Sequence, residues 1–435
     1  MNKTIDKKQI RTLALSSLGG TLEFYDFIIF VFFAGIISNH FFPAELSDTW
    51  KLVNTYGIFA AGYLARPLGG IVMAHFGDKF GRKNMFMLSI LLMVIPTFAL
   101  AIVPTYEYIG YAAPIFLIFV RICQGIAVGG ELPGAWVFIN EHAPDKEKNT
   151  YLGFLTASVT AGILVGSIVY LLTYKLFSEE EVADWAWRVP FALGGVFGLI
   201  SVYLRKFLSE TPVFQEMKKD NSLVEFPLKD VLKTSKVGIV ISMLITLVLT
   251  CCILIFILLM PNFVSGLLAF DPFEKTYFQI SGLVCIVSGI VVSGFLSDRF
   301  KPSSVCVFYA VAFALFGCLF FYELYSSNAC VSSVVILYLL TCFSAGVMNF
   351  CPIFMSDVFE AKIKFSGISF AYNIAYAIAG GFTPQLAVFF HKAAVEKYSF
   401  YEYGLSFYVV LMTLISLACS VYMQRVYNQK ISLKK

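Results

Sequence analysis

Residues 237–260 read VGIVISMLITLVLTCCILIFILLM, an apolar run with no charged side chain in it. An α-helix rises about 1.5 Å per residue, so about 20 such residues cross the roughly 30 Å hydrocarbon core of a bilayer. This stretch is therefore expected to span a membrane. Working outward, stretches of the same kind follow near 276–297, 304–325, 331–356, 364–390 and 401–424, and precede it near 13–38, 52–76, 84–103, 112–138, 151–174 and 189–208. The expected fold is all-α, with twelve transmembrane helices joined by short polar links. A transmembrane barrel would instead show segments of about ten residues alternating apolar and polar. Composition agrees, because the 435-residue chain is 58% hydrophobic and only 14% charged, which ordinary soluble domains do not approach.

The first span follows Lys3, Lys7, Lys8 and Arg11, but it is too long for the core of a signal peptide and contains Glu23 and Asp26. It is expected to stay in the mature protein. An even number of spans puts both termini on one side. With the bases at helix ends counted in the adjoining link, the termini and even-numbered links carry 24 Lys and Arg, the odd-numbered links 6, and the spans 2, Arg66 and Arg121. That asymmetry places both termini in the cytoplasm. The net charge of +4 follows from this topology and gives no reason to expect a nucleic-acid partner. The ten cysteines lie almost all within spans and form no Cys-x-x-Cys pair, and His40, His75, His142 and His391 lack metal-ligand spacing. No metal and no cofactor is expected.

Residues 209–236, of mixed charge with two prolines, divide the spans six and six and read as a cytoplasmic linker between bundles at 1–208 and 237–435. The hairpin after the second span runs Gly77-Asp78-Lys79-Phe80-Gly81-Arg82-Lys83. The one after the eighth contains Asp298-Arg299-Phe300-Lys301, 220 residues later. An acid followed by bases at equivalent places in each half marks an internal repeat, and paired bundles suit alternating access.

Asp78-Lys79-x-Gly81-Arg82-Lys83 resembles the signature loop of the major facilitator superfamily, transporters of twelve spans in two pseudo-symmetric six-helix bundles. Within it, four stretches resemble the metabolite:proton symporter family: 23–27, 62–70, Arg121 to Gln124-Gly125 with Gly129-Gly130-Glu131, and 371–384. The resemblance implies proton-driven import of α-ketoglutarate, citrate, shikimate, proline or betaine-like solutes across a bacterial inner membrane by a protein that works as a monomer. The chain departs from the pattern at Phe24, where Trp is usual, at Ala74, where Gly is usual, and at Leu132-Pro133, where the family has Trp-Gly. The stretch 357–367 carries weaker equivalents of the family's Glu, Pro and Arg pattern. No long coiled-coil tail follows the twelfth span, which speaks against osmotic sensing.

Asp26 falls near the middle of the first span with Glu23 one turn before it. An ionised carboxylate at that depth costs several kcal/mol unless paired or hydrated, so Asp26 is a candidate proton carrier, the alternative being a structural partner of an arginine. An unpaired central arginine costs about 2.5 to 3.5 kcal/mol, so Arg121 must face partners or water. Arg121, Gln124, Val128 and Glu131 fall within an arc of roughly 80° at 100° per residue, a polar stripe expected to line a cavity. A planar guanidinium grips a carboxylate bidentately. Arg121 is therefore the leading substrate contact, with Gln124 and Tyr25 beside it and a structural salt bridge as the alternative. Arg66 is weighted toward structural pairing. Three acids (Glu23, Asp26, Glu131) against two bases leave one carboxylate over, as a proton symporter needs. In the C-terminal half the polar candidates are Asn262, Asn349, Tyr372, Asn373, Tyr376 and Thr383, of which Asn349, Tyr372 and Tyr376 are expected at the substrate. Asp78, Lys79, Gly81, Arg82, Lys83, Asp298 and Arg299 are expected to form inner-gate latches or, more blandly, positive-inside anchors.

No enzyme is expected, since metalloprotease, hydrolase-elbow and phosphate-loop motifs are all missing from the sequence. The functional expectation is a secondary transporter importing a small carboxylate or zwitterion with protons. An exporter or exchanger of the same fold, a facilitator, and a receptor that binds without transport remain as alternatives.

Overall fold

The computed structural model describes residues 7–220, 222, 224–397 and 403–432. Among these residues every regular element is helical. The twelve long helices are α1 (Lys7–Phe32), α2 (Asp48–Phe80), α3 (Arg82–Ile102), α4 (Ala112–His142), α5 (Lys148–Leu176), α6 (Arg188–Arg205), α7 (Lys236–Leu268), α8 (Pro272–Arg299), α9 (Pro302–Leu324), α10 (Val331–Val358), α11 (Lys364–Val395) and α12 (Gly404–Ser432). Eleven are long and apolar enough to cross a membrane. The twelfth, α11, has 32 residues, but Ser366, Ser369, Asn373, Thr383, Pro384 and Gln385 interrupt its apolar residues. The first expected span differs from the observed one, because the chain breaks at Phe33 and continues as a separate helix, Ala34–Phe41.

Local chemistry sets the helix ends. Asp271 caps α8 by accepting from the Phe273 and Glu274 amides, both at 2.7 Å, while Glu274 returns to the Asp271 amide at 3.0 Å, a reciprocal capping box. Gly81 stands between α2 and α3 at φ 115°, a conformation costly for any residue with a Cβ. Within α7, residues Cys252–Leu259 widen into a π-helix. Pro261 lies just beyond and cannot donate to the Ile257 carbonyl. Gln279 Nε2 of α8 donates to that oxygen instead at 3.2 Å, and Tyr338 of α10 donates to the neighbouring Phe256 carbonyl at 2.9 Å.

The chain forms two compact units. One comprises Met1–His142, Ser158–Lys233 and Ala361–Asn373, and the other Ala143–Ala157, Thr234–Glu360 and Ile374–Lys435. The first unit thus contains most of α1–α6 with the opening turns of α11, and the second most of α7–α12 with the opening turns of α5. The former has an aromatic core built on Tyr25, Phe30, Phe33, Phe41, Trp187 and Phe191.

Candidate functional site

In the first unit α2 and α4 cross backbone to backbone. A Cβ on Gly125 would strike the Gly62 carbonyl, one on Gly69 the Ile126 main chain, and one on Gly129 the Arg66 carbonyl. Helices approach this closely only where side chains are lacking at the crossing. The crossing brings Arg66 and Arg121 to the wall of one cavity, which Tyr63, Met93, Gln124 and Val128 complete. Its free volume is ≈ 30 Å³, about the share of a single water.

From this cavity a hydrogen-bonded chain leads to Asp26. Arg121 Nη1 donates to Gln124 Oε1 at 2.9 Å, Gln124 Nε2 to Thr97 Oγ1 at 2.9 Å, and Thr97 Oγ1 to Asp26 Oδ2 at 2.6 Å. All four residues are buried, none more than 4% exposed. The Arg121 guanidinium also lies 3.5 Å from the centre of the Phe30 ring, a cation–π contact strengthened by exclusion of water. Thr97 was not among the sequence candidates. Its signal is the spacing Ser89, Met93, Thr97 on α3, which puts two hydroxyls on one helix face two turns apart. Tyr25 is placed differently from the expectation, for its hydroxyl donates to the Pro190 carbonyl at 2.7 Å and braces α1 against α6. The Glu23 side chain lies outside the described residues.

Glu131 continues the α4 stripe but belongs to another constellation. Its carboxylate pairs with Arg205 at the end of α6 and accepts from Ser89 Oγ, while Arg205 Nη1 also donates to the Phe86 carbonyl at 2.8 Å. Arg205, the last residue of α6, is fully buried and is a third base enclosed among these helices. Sequence assigned it to the following link, so the surplus of one carboxylate counted from Arg66 and Arg121 alone does not hold. Its position three residues inside the expected sixth span was the available signal. A narrow internal cavity lined by Gly19, Asp26, Ser89, Met93, Glu131 and Gly198 lies between the two acids.

At the α2–α3 turn, Asp78 Oδ2 accepts from both the amide and the hydroxyl of Ser366 in the first turn of α11, at 2.9 and 2.8 Å, and its Oδ1 lies 3.4 Å from Arg82 Nη2. Arg82 also pairs with Glu141 at 3.0 Å and donates to the Ala361 carbonyl at 2.9 Å. Glu210, from the start of the linker, receives the amides of Arg82 and Lys83 at 3.2 Å each and so caps α3. Lys79 lies over the Phe80 ring, and Lys83 Nζ donates to the Lys206 carbonyl at 3.4 Å. The second unit repeats the theme, because Asp298 at the end of α8 accepts from the amides of Asn149 and Thr150 at 3.0 and 2.7 Å in the first turn of α5. Each carboxylate thus covers the amides at a helix N-terminus, where the helix dipole favours negative charge. Among the described residues Arg299 makes no counterpart of the Arg82 network. It is exposed and lies over Phe295 at 4.1 Å.

The remaining candidates divide. Tyr372 accepts from Arg66 at 3.4 Å and meets Trp136 edge to face, and Asn373 donates to the Gly129 carbonyl at 2.7 Å, so both belong with the first unit. Asn349 binds α10 to α8 through Ser293 Oγ at 3.1 Å. Thr383 is hydrogen-bonded to Tyr408 at 2.8 Å, and Asn262 donates to the Leu258 carbonyl of its own helix at 3.3 Å. Tyr376 is buried in the second unit.

Comparison with known proteins follows from this architecture. The chain is 29% identical over 446 residues to the proline/betaine transporter of Salmonella typhimurium, covering 98% of this chain and 85% of that protein. It is 28% identical over 397 residues to a putative proline/betaine transporter of Staphylococcus aureus, covering 89% and 83%. Among solved structures it resembles the proton:xylose symporter XylE of E. coli bound to 6-bromo-6-deoxy-D-glucose, with a TM-score of 0.78 at 16% identity over 96% of this chain and 95% of the other, a likeness of fold. The family model described as Major Facilitator Superfamily matches residues 16–384. The chain, with its twelve long helices and an aspartate covering a helix N-terminus in each half, belongs to the Major Facilitator Superfamily.

Proposed function

We propose that this protein imports a small zwitterion or carboxylate together with protons by alternating access, with proline- and betaine-like solutes as the first class to test. Its curated relatives are named as transporters of those solutes. The proposed topology places it in a bacterial inner membrane with both termini cytoplasmic, as the distribution of Lys and Arg in the links favours.

The observation that carries the reading is the Thr97 hydroxyl, 2.6 Å from Asp26 Oδ2 and 2.9 Å from the Met93 carbonyl, with Gln124 donating to it at 2.9 Å. A hydroxyl has one proton and two lone pairs. With Asp26 ionised, Thr97 donates to the carboxylate. With Asp26 protonated, the carboxyl donates to Thr97, whose own proton turns to Met93. The chain to Arg121 stays connected in both states, so Asp26 can gain and lose a proton at Oδ2 without breaking it, while its buried Oδ1 makes no hydrogen bond in either. Charge provides the coupling. Ionised Asp26 offsets the guanidinium of Arg121, whereas neutral Asp26 leaves that cation to be balanced by the carboxylate of a solute. Proton and solute then favour one another, a reciprocal linkage. Arg66, beside Tyr63 and Tyr372, shapes the same wall and lends it positive potential.

Uptake into proteoliposomes under an inward proton gradient tests this, with labelled proline, betaine, dicarboxylates, citrate and shikimate. Wild-type uptake should collapse with an uncoupler. Arg121→Ala should lose uptake and solute binding together, whereas Asp26→Asn should lose gradient-driven accumulation while retaining exchange of solute down its own gradient. Accumulation unchanged in Asp26→Asn would return Asp26 to a structural role and favour an exchanger or facilitator.

A further inference from the structure

Away from the Arg121 cavity and the narrow one beside Asp26, the first unit has a larger hollow of ≈ 630 Å³, bordered by Phe42, Glu45, Asn54, Tyr106, Tyr111 and Pro114. It is built from the link before α2 and the link between α3 and α4. The Pro43–Leu46 turn, closed by a 3.2 Å bond from the Leu46 amide to the Pro43 carbonyl, presents Glu45 as an exposed carboxylate. The single helical turn Tyr106–Ile109 ends at Gly110, whose φ of 55° turns the chain back. This folds Tyr111 against Tyr106, with ring centres 5.4 Å apart and planes at 87°. Two tyrosine rings packed edge to face thus border a hollow with a carboxylate at its edge. Burial at the wall, then the Tyr111 hydroxyl and the Glu45 carboxylate, hold the Tyr106 phenol above its ordinary range.

We propose that this hollow is a second binding site, which takes the quaternary ammonium head of a zwitterionic or cationic solute against Tyr106 and Tyr111, with Glu45 as counter-charge. The assignment rests on the betaine-like reading above and extends it with a station distinct from Arg121, since Pro114 stands two helical turns, about 10 Å, from Arg121 along α4. The chemistry selects the head group. A primary ammonium carries three N–H donors that each want an acceptor, and among the described residues that border the hollow Glu45 is the one charged acceptor. A quaternary ammonium has no N–H and is held by ring faces and a nearby negative charge. On the proposed topology the hollow opens to the outside, where a solute is first met.

Tetramethylammonium, the head group without a carboxylate, is the probe, titrated calorimetrically into the full-length protein in lipid nanodiscs with ammonium as the control ion. Wild type should bind it saturably and in preference to ammonium. Tyr106→Ala should weaken binding about tenfold, Tyr106→Phe should retain it because the ring remains, and Glu45→Gln, an exposed change that leaves the fold intact, should weaken it several-fold. Binding should persist in Arg121→Ala. Absence of saturable binding in wild type, equal affinity for ammonium, or binding indifferent to Glu45→Gln and Tyr106→Ala would overturn the site. A protein that binds tetramethylammonium yet moves no betaine would lose the transport reading and keep this one.

Discussion

Arg205 shows how much a single buried side chain commits the molecule. Its guanidinium is wholly enclosed, pairs with Glu131, and lies 3.7 Å above the Phe86 ring. Removing one partner of such a pair strands the other charge in an apolar surrounding, at a cost of about 3 to 5 kcal/mol, whereas replacing both by uncharged groups of similar volume is often close to neutral. Glu131→Gln and Arg205→Met should each strongly destabilise the purified protein to denaturant. The double variant should be far more stable than the sum of the two losses predicts, and strictly additive losses would mean that the pair is not energetically coupled. The contrast with Asp26 is informative, because its hydroxyl partner serves either protonation state. Asp26→Asn should therefore leave stability within about 1 kcal/mol of wild type, in the range of substitutions that open no cavity and strand no charge.

At the scale of the helix, the α2–α4 crossing fixes where Arg66 and Arg121 stand. Any side chain on Gly125 meets the Gly62 carbonyl, whereas a Cβ on Gly35, in the short helix Ala34–Phe41, meets nothing within 4 Å. Gly35→Ala should be neutral or stabilise by about 0.5 to 1 kcal/mol through helix propensity. Gly125→Ala must push the two helices apart, and uptake should fall at least tenfold while circular dichroism stays helical. Wild-type uptake in Gly125→Ala would show that the crossing has slack. The same scale shows what sequence can carry. The run at 237–260 announces α7 unaided, because lipid demands length and apolarity and nothing else. It does not announce the π-helical turn inside α7, which depends on Gln279 and Tyr338 arriving from α8 and α10 to donate to the Ile257 and Phe256 carbonyls beside Pro261. The stripe from Arg121 to Glu131 was legible from helical periodicity. That its lower end belongs to Arg205 was not, since an arginine near a helix end reads equally well as an interfacial anchor.

For the whole molecule, the repeat that was plain in the sequence, Asp78 and Asp298 at equivalent turns, has partners no local reading could supply. The Ser366 amide lies 288 residues from Asp78, and the Asn149 amide 149 residues from Asp298. In both places the carboxylate neutralises the exposed amides of a helix's first turn, and such an interaction contributes up to about 2 kcal/mol where partly buried. On the proposed alternating-access cycle, bonds of this kind would break and reform, and their strength would set how often each turn opens. Hydrogen exchange reads that opening directly. Asp78→Asn should speed exchange at the amides of residues 364–369 by about ten- to thirtyfold, as the loss of about 1.4 to 2 kcal/mol implies, and leave residues 148–152 protected. Asp298→Asn should do the reverse. Exchange unchanged at Ser366 in Asp78→Asn would deny the carboxylate its role as a helix cap. A rise at both segments in either variant would instead show that the two latches open as one cooperative event, which would make the two repeats a single switch.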